Sequence, residues 1–174
     1  MNTAIRLAKS DDAEIVSILG RITFSETFGN LFDEFKDELF DYLNTTFSVE
    51  KIRKSLNKSS NKYWIVIVDG LPVGYAKLKY PSDTELLPGA DVAQLQKIYV
   101  LRDHLAMGLG FPLLKAVREH AVHVGARSMW LAVLSENVRA IRFYKKHHFD
   151  TFGRDTFTIG SQTFEFDLLG ASVG

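Results

Sequence analysis

Residues 94–117, QLQKIYVLRDHLAMGLGFPLLKAV, read as a strand, a short polar turn, two glycines two residues apart and an amphipathic helix. That order makes an anion-binding device, because the turn lets backbone N–H groups face outward and the helix dipole favours negative charge there. Gly108-x-Gly110 alone is equally consistent with a loop that only needs positive φ. The flanks narrow the choice. Leu109, Leu113, Leu114 and Val117 give the next segment an apolar helical face, and Pro112 is tolerated only in a first helical turn. The helix therefore starts near Leu109, which leaves the amides of Ala106, Met107, Gly108, Leu109 and Gly110 clustered without helical partners. No Gly-Lys-Ser/Thr follows, which excludes a nucleoside-triphosphate loop, and Leu113 stands where a dinucleotide fingerprint has its third glycine.

Upstream of this stretch, Thr3–Leu7 is a short strand candidate. Ser10 and Asp11 are N-cap types, and Glu14 completes a capping-box pattern with Asp11. Ile15, Ile18, Leu19 and Ile22 predict a helix to about Phe24. The chain then turns acidic: Glu26, Asp33, Glu34, Asp37, Glu38 and Asp41 face Lys36 alone, with Phe28, Phe32, Phe35, Phe40 and Tyr42 interleaved. Residues 45–57 read as a basic helix with Ser48 as N-cap. Two surface helices with solvated faces account for these charges. An acidic, aromatic-walled mouth that receives a cationic substrate accounts for them too. Residues 63–68, YWIVIV, read as a strand buried on both faces, and Asp69-Gly70 is a hairpin turn into a return strand at 73–80. A loop with Pro81, Pro88 and Gly89 precedes the strand at 92–101, so three strands form an antiparallel meander.

Downstream, the helix runs to about Val124, Gly125 stops it, and Ser128–Leu134 is a strand. A helical crossover makes that strand parallel to the one at 92–101. A helix at 135–147 and strands at 149–159 and 163–169 follow, with Gly160-Ser161 at the last turn. No repeat, low-complexity segment or linker divides the chain, so one domain over residues 1–174 is expected.

Composition bounds the function. The chain has 174 residues, 46% hydrophobic, which suits one compact core. Lys+Arg and Asp+Glu are both 21, and this balance argues against a duplex nucleic-acid binder. There is no cysteine, which excludes disulfides, thiolate metal sites and a cysteine nucleophile. No metal site is expected. No signal peptide is visible, and no apolar run reaches the ~20 residues of a membrane helix. A soluble cytoplasmic protein without a membrane partner is the expectation.

Residues 135–149, SENVRAIRFYKKHHF, place Asn137 and Tyr144 on one helical stripe two turns apart. Asn137 is either a cap or a ligand contact. Tyr144 is either a core aromatic or a phenol able to protonate a leaving thiolate, since its pKa of ~10 lies near a thiol's ~8.5.

Together, KIYVLRDHLAMGLG and WLAVLSENVRAIRFYKKHHF resemble motifs A and B of the GNAT superfamily of acyl-CoA N-acyltransferases. The family pattern Gln/Arg-x-x-Gly-x-Gly/Ala falls on Leu105 to Gly110, with Leu105 replacing the polar residue. The pattern Asn-x-x-Ala-x-x-x-Tyr-x-Lys-x-Gly-Phe falls on Asn137, Ala140, Tyr144, Lys146 and Phe149, with His148 replacing the glycine. A nearer likeness is to the polyamine (spermidine/spermine) acetyltransferases of the protease-synthase and sporulation regulator type, on Glu26-Thr27-Phe28, Gly74-Tyr75-Ala76-Lys77, Lys97-Ile98-Tyr99-Val100 and Phe143-Tyr144-Lys145-Lys146.

The resemblance implies an α/β (α+β) GNAT fold. Its sheet is mixed, mostly antiparallel and twisted, of about seven strands with a splayed parallel pair, flanked by about four helices. It implies acetyl-CoA as cofactor and a small primary amine, such as a polyamine, as acceptor, with a homodimer left open. The pantetheine arm would pair with Ile98, Tyr99 and Val100. Ala106, Met107, Gly108, Leu109, Gly110 and Phe111 would hold the pyrophosphate, with Arg102, His104 or Lys146 on the nucleotide phosphates. Asn137 would contact the cofactor, and Tyr144 would be the general acid. Glu26, Phe28, Gln94 and Gln96 would meet the acceptor. Many relatives carry a carboxylate base where Gln94 and Gln96 stand, so the proton's path stays open among water leading to Glu26 or Asp91, His104, and free amine from solution. An amino acid, an antibiotic or a protein N-terminus as acceptor, or a non-catalytic acyl-CoA-binding module, are the alternatives.

Overall fold

The computed structural model describes residues 2–174. Its strands are β1 (Thr3–Leu7), β2 (Asn61–Val68), β3 (Leu71–Lys79), β4 (Val92–Val100), β5 (Ser128–Leu134), β6 (Asp150–Ile159) and β7 (Gln162–Ser172). The α-helices are α1 (Ala13–Phe28), α2 (Lys36–Thr46), α3 (Val49–Leu56), α4 (Gly110–His123) and α5 (Val138–Lys146). The strands form one seven-stranded sheet in the order β1-β2-β3-β4-β5-β7-β6. β4 and β5 are parallel, whereas β1–β2, β5–β7 and β6–β7 are antiparallel. The expected fold class is thus the observed one. By its contacts the chain divides into two compact units, Met1–Lys77 with Lys97–Val117, and Leu78–Gln96 with Arg118–Gly174.

In the first unit, α1 buries Val16, Leu19, Gly20, Thr23, Phe24 and Phe28. This stripe is rotated by one residue from the expected one, and Ile18 (56% exposed) and Ile22 (42%) face outward. Both stripes have helical spacing. The one that carries two phenylalanines won, since each buries more apolar area than an isoleucine. The capping box at Asp11 does not form. Asp12 is the N-cap residue of α1, and its carboxylate instead accepts both Arg6 guanidinium nitrogens (2.8 and 2.7 Å) and the Lys9 N–H (2.7 Å). The basic helix expected at 45–57 is broken at Phe47. α2 ends before it and α3 starts after Ser48, whose Oγ accepts the Lys51 N–H at 3.3 Å.

Phe47 itself is held from two sides. The Ser17 hydroxyl donates to its carbonyl, and its ring lies where a side chain on Gly20 would be. β2 is buried along Tyr63, Trp64, Ile65 and Val66, as its unbroken apolar run requires. Asp69 and Gly70 both take positive φ (49° and 86°), the geometry of a tight Asp-Gly hairpin turn.

In the second unit, β5 is sandwiched in the ladder by β4 and β7. Its pairing with β7 runs the full length, from Ser128↔Ser172 to Leu134↔Phe166. Its pairing with β4 covers only Val92↔Ser128, Ala93↔Met129 and Gln94↔Trp130. Leu95 and Gln96 have no β5 partner, so the parallel pair comes apart after Gln94.

Gly74 on β3 fixes the approach of β4 in the first unit. A Cβ there would sit 2.5 Å from the Tyr99 carbonyl oxygen and 3.1 Å from the Val100 Cα, both backbone atoms that cannot rotate away. Gly74→Ala is expected to cost about 3 kcal/mol by this overpacking, read as a lowered denaturation midpoint at unchanged m-value.

Candidate active site

The expected anion cradle lies in the first unit. After β4 the chain makes a 3-10 turn at Arg102–Met107, closed by Gly108 in the left-handed region (φ 70°, ψ 17°). α4 begins at Gly110, and its first α-helical bond runs from the Leu113 N–H to Leu109 at 3.2 Å. Pro112 thus sits in the first turn, as its missing N–H demands. A Cβ on Gly108 would meet nothing within 4 Å, so glycine is required there by φ and not by crowding, and the loop's outer face is open. Ala106 and Gly108 are exposed, Met107 and Gly110 half-buried, and Leu109 buried as an anchor. The side chains expected on phosphates differ in availability. Arg102 is tied to α1, its guanidinium donating one bond to the Glu26 carbonyl (2.8 Å) and its backbone N–H one to the Glu26 carboxylate (3.0 Å), and its other N–H groups are left to donate. His104 has a buried Nδ1 with no hydrogen-bond partner.

Glu26 is therefore a structural partner of Arg102. Both line a depression of about 540 Å³ with Arg21, Ile22, Ser25 and Leu43. Phe28 is buried and stacked on Phe24, ring centroids 4.4 Å apart.

One residue that sequence reasoning passed over stands out on β4. Lys97 is half-buried, and its Nζ lies over the Phe47 ring, 5.6 Å from the centroid. Burial, with the Lys51 charge as a lesser cause, pulls its pKa down to about 8. No carboxylate forms an ion pair with it among the described residues. Phe47 belongs to an aromatic group with Phe24 (5.9 Å) and Tyr42 (6.3 Å), and Phe24 and Tyr42 stand 4.8 Å apart. Tyr99, two residues along β4, is 6.1 Å from Tyr75. Burial raises the pKa of both phenols and brings Tyr63 to about 12. The signal in the sequence was a lysine at strand parity with apolar neighbours, Leu95 and Tyr99, but a strand pattern does not say what covers that face.

In the second unit, Gln94 and Gln96 form a hydrogen-bonded chain. Gln94 Oε1 accepts from Ser82 Oγ (3.2 Å) and from Gln96 Nε2 (3.0 Å), and Trp130 Nε1 donates to the Ser82 carbonyl (2.7 Å). Gln94 Oε1 is thereby filled, and Gln96 Oε1 is left as an acceptor. Neither carboxamide can take up a proton at neutral pH.

Also in that unit, Asn137 is the N-cap of α5, its Oδ1 accepting the Ala140 N–H at 3.1 Å. The cap uses the oxygen and leaves the Nδ2 hydrogens to donate. Tyr144, 8% exposed, packs edge-on against Phe143 (5.3 Å) and Phe149 (5.7 Å). Lys146 is exposed at the end of α5. The Arg118 guanidinium lies over Phe149 (4.8 Å) and donates to the His147 carbonyl (2.6 Å), neutralising the helix's negative end.

The profile of the acetyltransferase (GNAT) family matches residues 25–149. The chain belongs to that family. An uncharacterized N-acetyltransferase of Mycobacterium tuberculosis is 36% identical over 93 residues, a match that covers 53% of this chain and 55% of the relative, so it spans about half the relative's length. The uncharacterized N-acetyltransferase YjcF of Bacillus subtilis is 27% identical over 123 residues, 70% of this chain and 78% of YjcF. In three dimensions, the chain resembles the PaiA N-acetyltransferase from Thermoplasma acidophilum, solved in complex with coenzyme A, with a TM-score of 0.78 over 99% of both chains at 18% identity. At that identity the likeness bears on the fold.

Against the GNAT pattern, His148 has a visible cost. It follows α5 with φ 65°, where the family has glycine, and a Cβ in the left-handed region is strained. His148→Gly is expected to stabilise the fold by about 1 kcal/mol, read as a raised melting temperature. Lys97 is expected to leave a mark on stability against pH. Its folded pKa of about 8 lies below the unfolded 10.5. Above about pH 8 the unfolded chain keeps a proton that the folded chain has released, so stability rises with pH through that window. Near pH ~10 the trend reverses, because tyrosines ionise in the unfolded chain before the raised phenols do in the folded one. Denaturant titrations across this range check it, and Lys97→Met should flatten the rise.

Proposed function

We propose that this GNAT chain transfers the acetyl group of acetyl-CoA to a small primary amine. The observation that carries the reading is the departure of β4 from β5 after Gln94, directly upstream of an open glycine turn at a helix N-terminus. A strand released from its parallel neighbour presents backbone N–H and C=O groups that an extended amide-bearing chain can pair with. The backbone of Ile98, Tyr99 and Val100 takes the pantetheine amides. The amides at 106–111 take the pyrophosphate, and His104 and Lys146 serve the nucleotide phosphates. Asn137 donates its free Nδ2 hydrogens to the cofactor. The match at 25–149 runs through both units, and we take them as one acetyltransferase domain.

The reaction is direct attack by the neutral amine nitrogen on the thioester carbonyl carbon. The new C–N bond forms, the C–S bond breaks, and Tyr144 supplies a proton to the departing sulfur. The chain has no cysteine to carry an acyl group, which agrees with direct transfer. The nitrogen's own proton leaves through water, since Gln94 and Gln96 cannot hold it.

A polyamine such as spermidine or spermine is the acceptor that the resemblance implies. Its support is the exposed acidic and aromatic stretch of Asp33, Glu34, Phe35, Asp37, Phe40 and Asp41. A second reading, an amine that also bears a carboxylate, is favoured by Lys97, which has no acidic partner. The reading places the protein in the cytoplasm, without nucleic acid, and leaves self-association to measurement. No helix among the described residues is long and apolar enough to cross a membrane.

Thiol release from acetyl-CoA with a broad amine panel tests the activity. Tyr144→Phe is expected to lower kcat about 10²-fold while the KM for acetyl-CoA changes little. An unchanged kcat removes Tyr144 from the proton transfer, and no release with any amine removes the activity.

A further inference from the structure

We infer that Lys97, Tyr75 and Tyr99 form a carboxylate-binding site, and that the amine this enzyme acetylates carries that carboxylate. The inference rests on the acetyltransferase reading above and names its acceptor class.

The cluster is rich in donors and poor in acceptors. Lys97 Nζ meets the Phe47 ring and no acid, and the charge that bears on it is another cation, Lys51. Tyr75 is 2% exposed, and its hydroxyl has no hydrogen-bond partner of normal geometry. Thr23 bears on that phenol, and because its own proton goes to the Leu19 carbonyl at 2.7 Å it can face Tyr75 only as an acceptor at long range. Tyr99 stands beside Tyr75, and Tyr42 bears on both. Burial keeps these phenols protonated, so each offers an O–H. A half-buried amine without an acid and a buried hydroxyl without a hydrogen bond of normal geometry are both costly, and a well-placed acceptor lowers both costs.

A carboxylate is the group that fits. It brings one negative charge and about four lone-pair positions, with no donor of its own. Lys97 and Tyr99 are half-buried, so solvent reaches both side chains, while Tyr75 lies in the core beside Tyr99. Phe24, Tyr42 and Phe47 supply an apolar wall beside them. A polyamine would add positive charge to Lys97 and Lys51 and would leave the Tyr75 hydroxyl with one more donor. An amino acid brings the amine to be acetylated and the missing acceptor in one molecule.

The test uses the full chain with acetyl-CoA, the standard amino acids each paired with its carboxamide, and spermidine, with thiol release as readout. At least one amino acid should exceed its carboxamide by about tenfold or more in kcat/KM, the worth of one charge-assisted hydrogen bond. Lys97→Met should collapse that ratio through the KM of the acid, and Lys97→Arg should restore part of it. Carboxamides used as well as acids, or a ratio that Lys97→Met leaves intact, overturn the site. A second measurement needs neither a variant nor turnover. N-acetyl amino acids should slow reductive methylation of Lys97 in the wild-type chain, read by mass spectrometry of its peptide, whereas their N-acetyl carboxamides should not. Equal labelling with both overturns the carboxylate site. If no amine releases thiol yet protection is seen, the acetyltransferase reading fails and the carboxylate site stands.

Discussion

Backbone pairing is the constraint on which this structure depends. β5 satisfies it on one side along its whole length, against β7. On the other side it has β4 for three residue pairs and then nothing further within that unit. A sheet interior does not tolerate unpaired N–H and C=O groups at depth, because each carries the penalty of a lost hydrogen bond. The released stretch of β4 therefore has to be wet or covered by a ligand. The glycine turn that follows has the same character, with amides that helix geometry cannot satisfy and an outer face that no side chain fills. Two consecutive elements of one segment thus offer backbone polar groups that neither β5 nor helix geometry pairs, and this continuity is what supports the proposal of a single binding surface.

The net charge of zero conceals how charge is distributed around that surface. The acids of residues 33–41 are largely exposed, where water screens them and each pair is worth little. Glu26 reaches the start of the glycine segment from α1, where it holds Arg102. The charge on β4 itself is Lys97, a half-buried cation. Under the proposed carboxylate site, a ligand approaching from solution and a ligand seated on β4 would meet opposite fields, the inner one the less screened.

Much of this fold is written locally. Asp69-Gly70, Gly108, Pro112 and Ser48 each declare a backbone geometry through their own chemistry, and the structure places each where that chemistry requires. The apolar run of β2 likewise states its burial. What could not be read depends on partners distant in the chain. The face of α1 that is buried was ambiguous between two helical stripes, and burial of Phe24 and Phe28 chose the one whose Gly20 leaves room for the Phe47 ring. The sequence pattern places the cap at Asp11, but α1 starts after Asp12, whose carboxylate Arg6 takes. Lys97 is ordinary in sequence, and becomes unusual only because Ser17 fixes the Phe47 backbone and brings its ring over the amine.

The Gln94–Gln96 pair shows how such a surface can be organised without a base. Gln94 Oε1 has both of its lone pairs engaged, by Ser82 and by Gln96, so its position is fixed and it has nothing left to accept. Gln96 spends a donor on that bond and keeps its own carbonyl oxygen open. A carboxamide oxygen can orient an N–H but cannot remove its proton, so the pair acts on geometry and not on protonation. Holding the acceptor nitrogen in line can supply several kcal/mol of the barrier reduction by itself. Under the proposed reaction this is a division of labour, with β4 orienting the amine and the solvent pH setting the fraction of neutral amine. A cation such as Lys97 lowers the pKa of a nearby ammonium, which raises the neutral fraction without any group having to act as base.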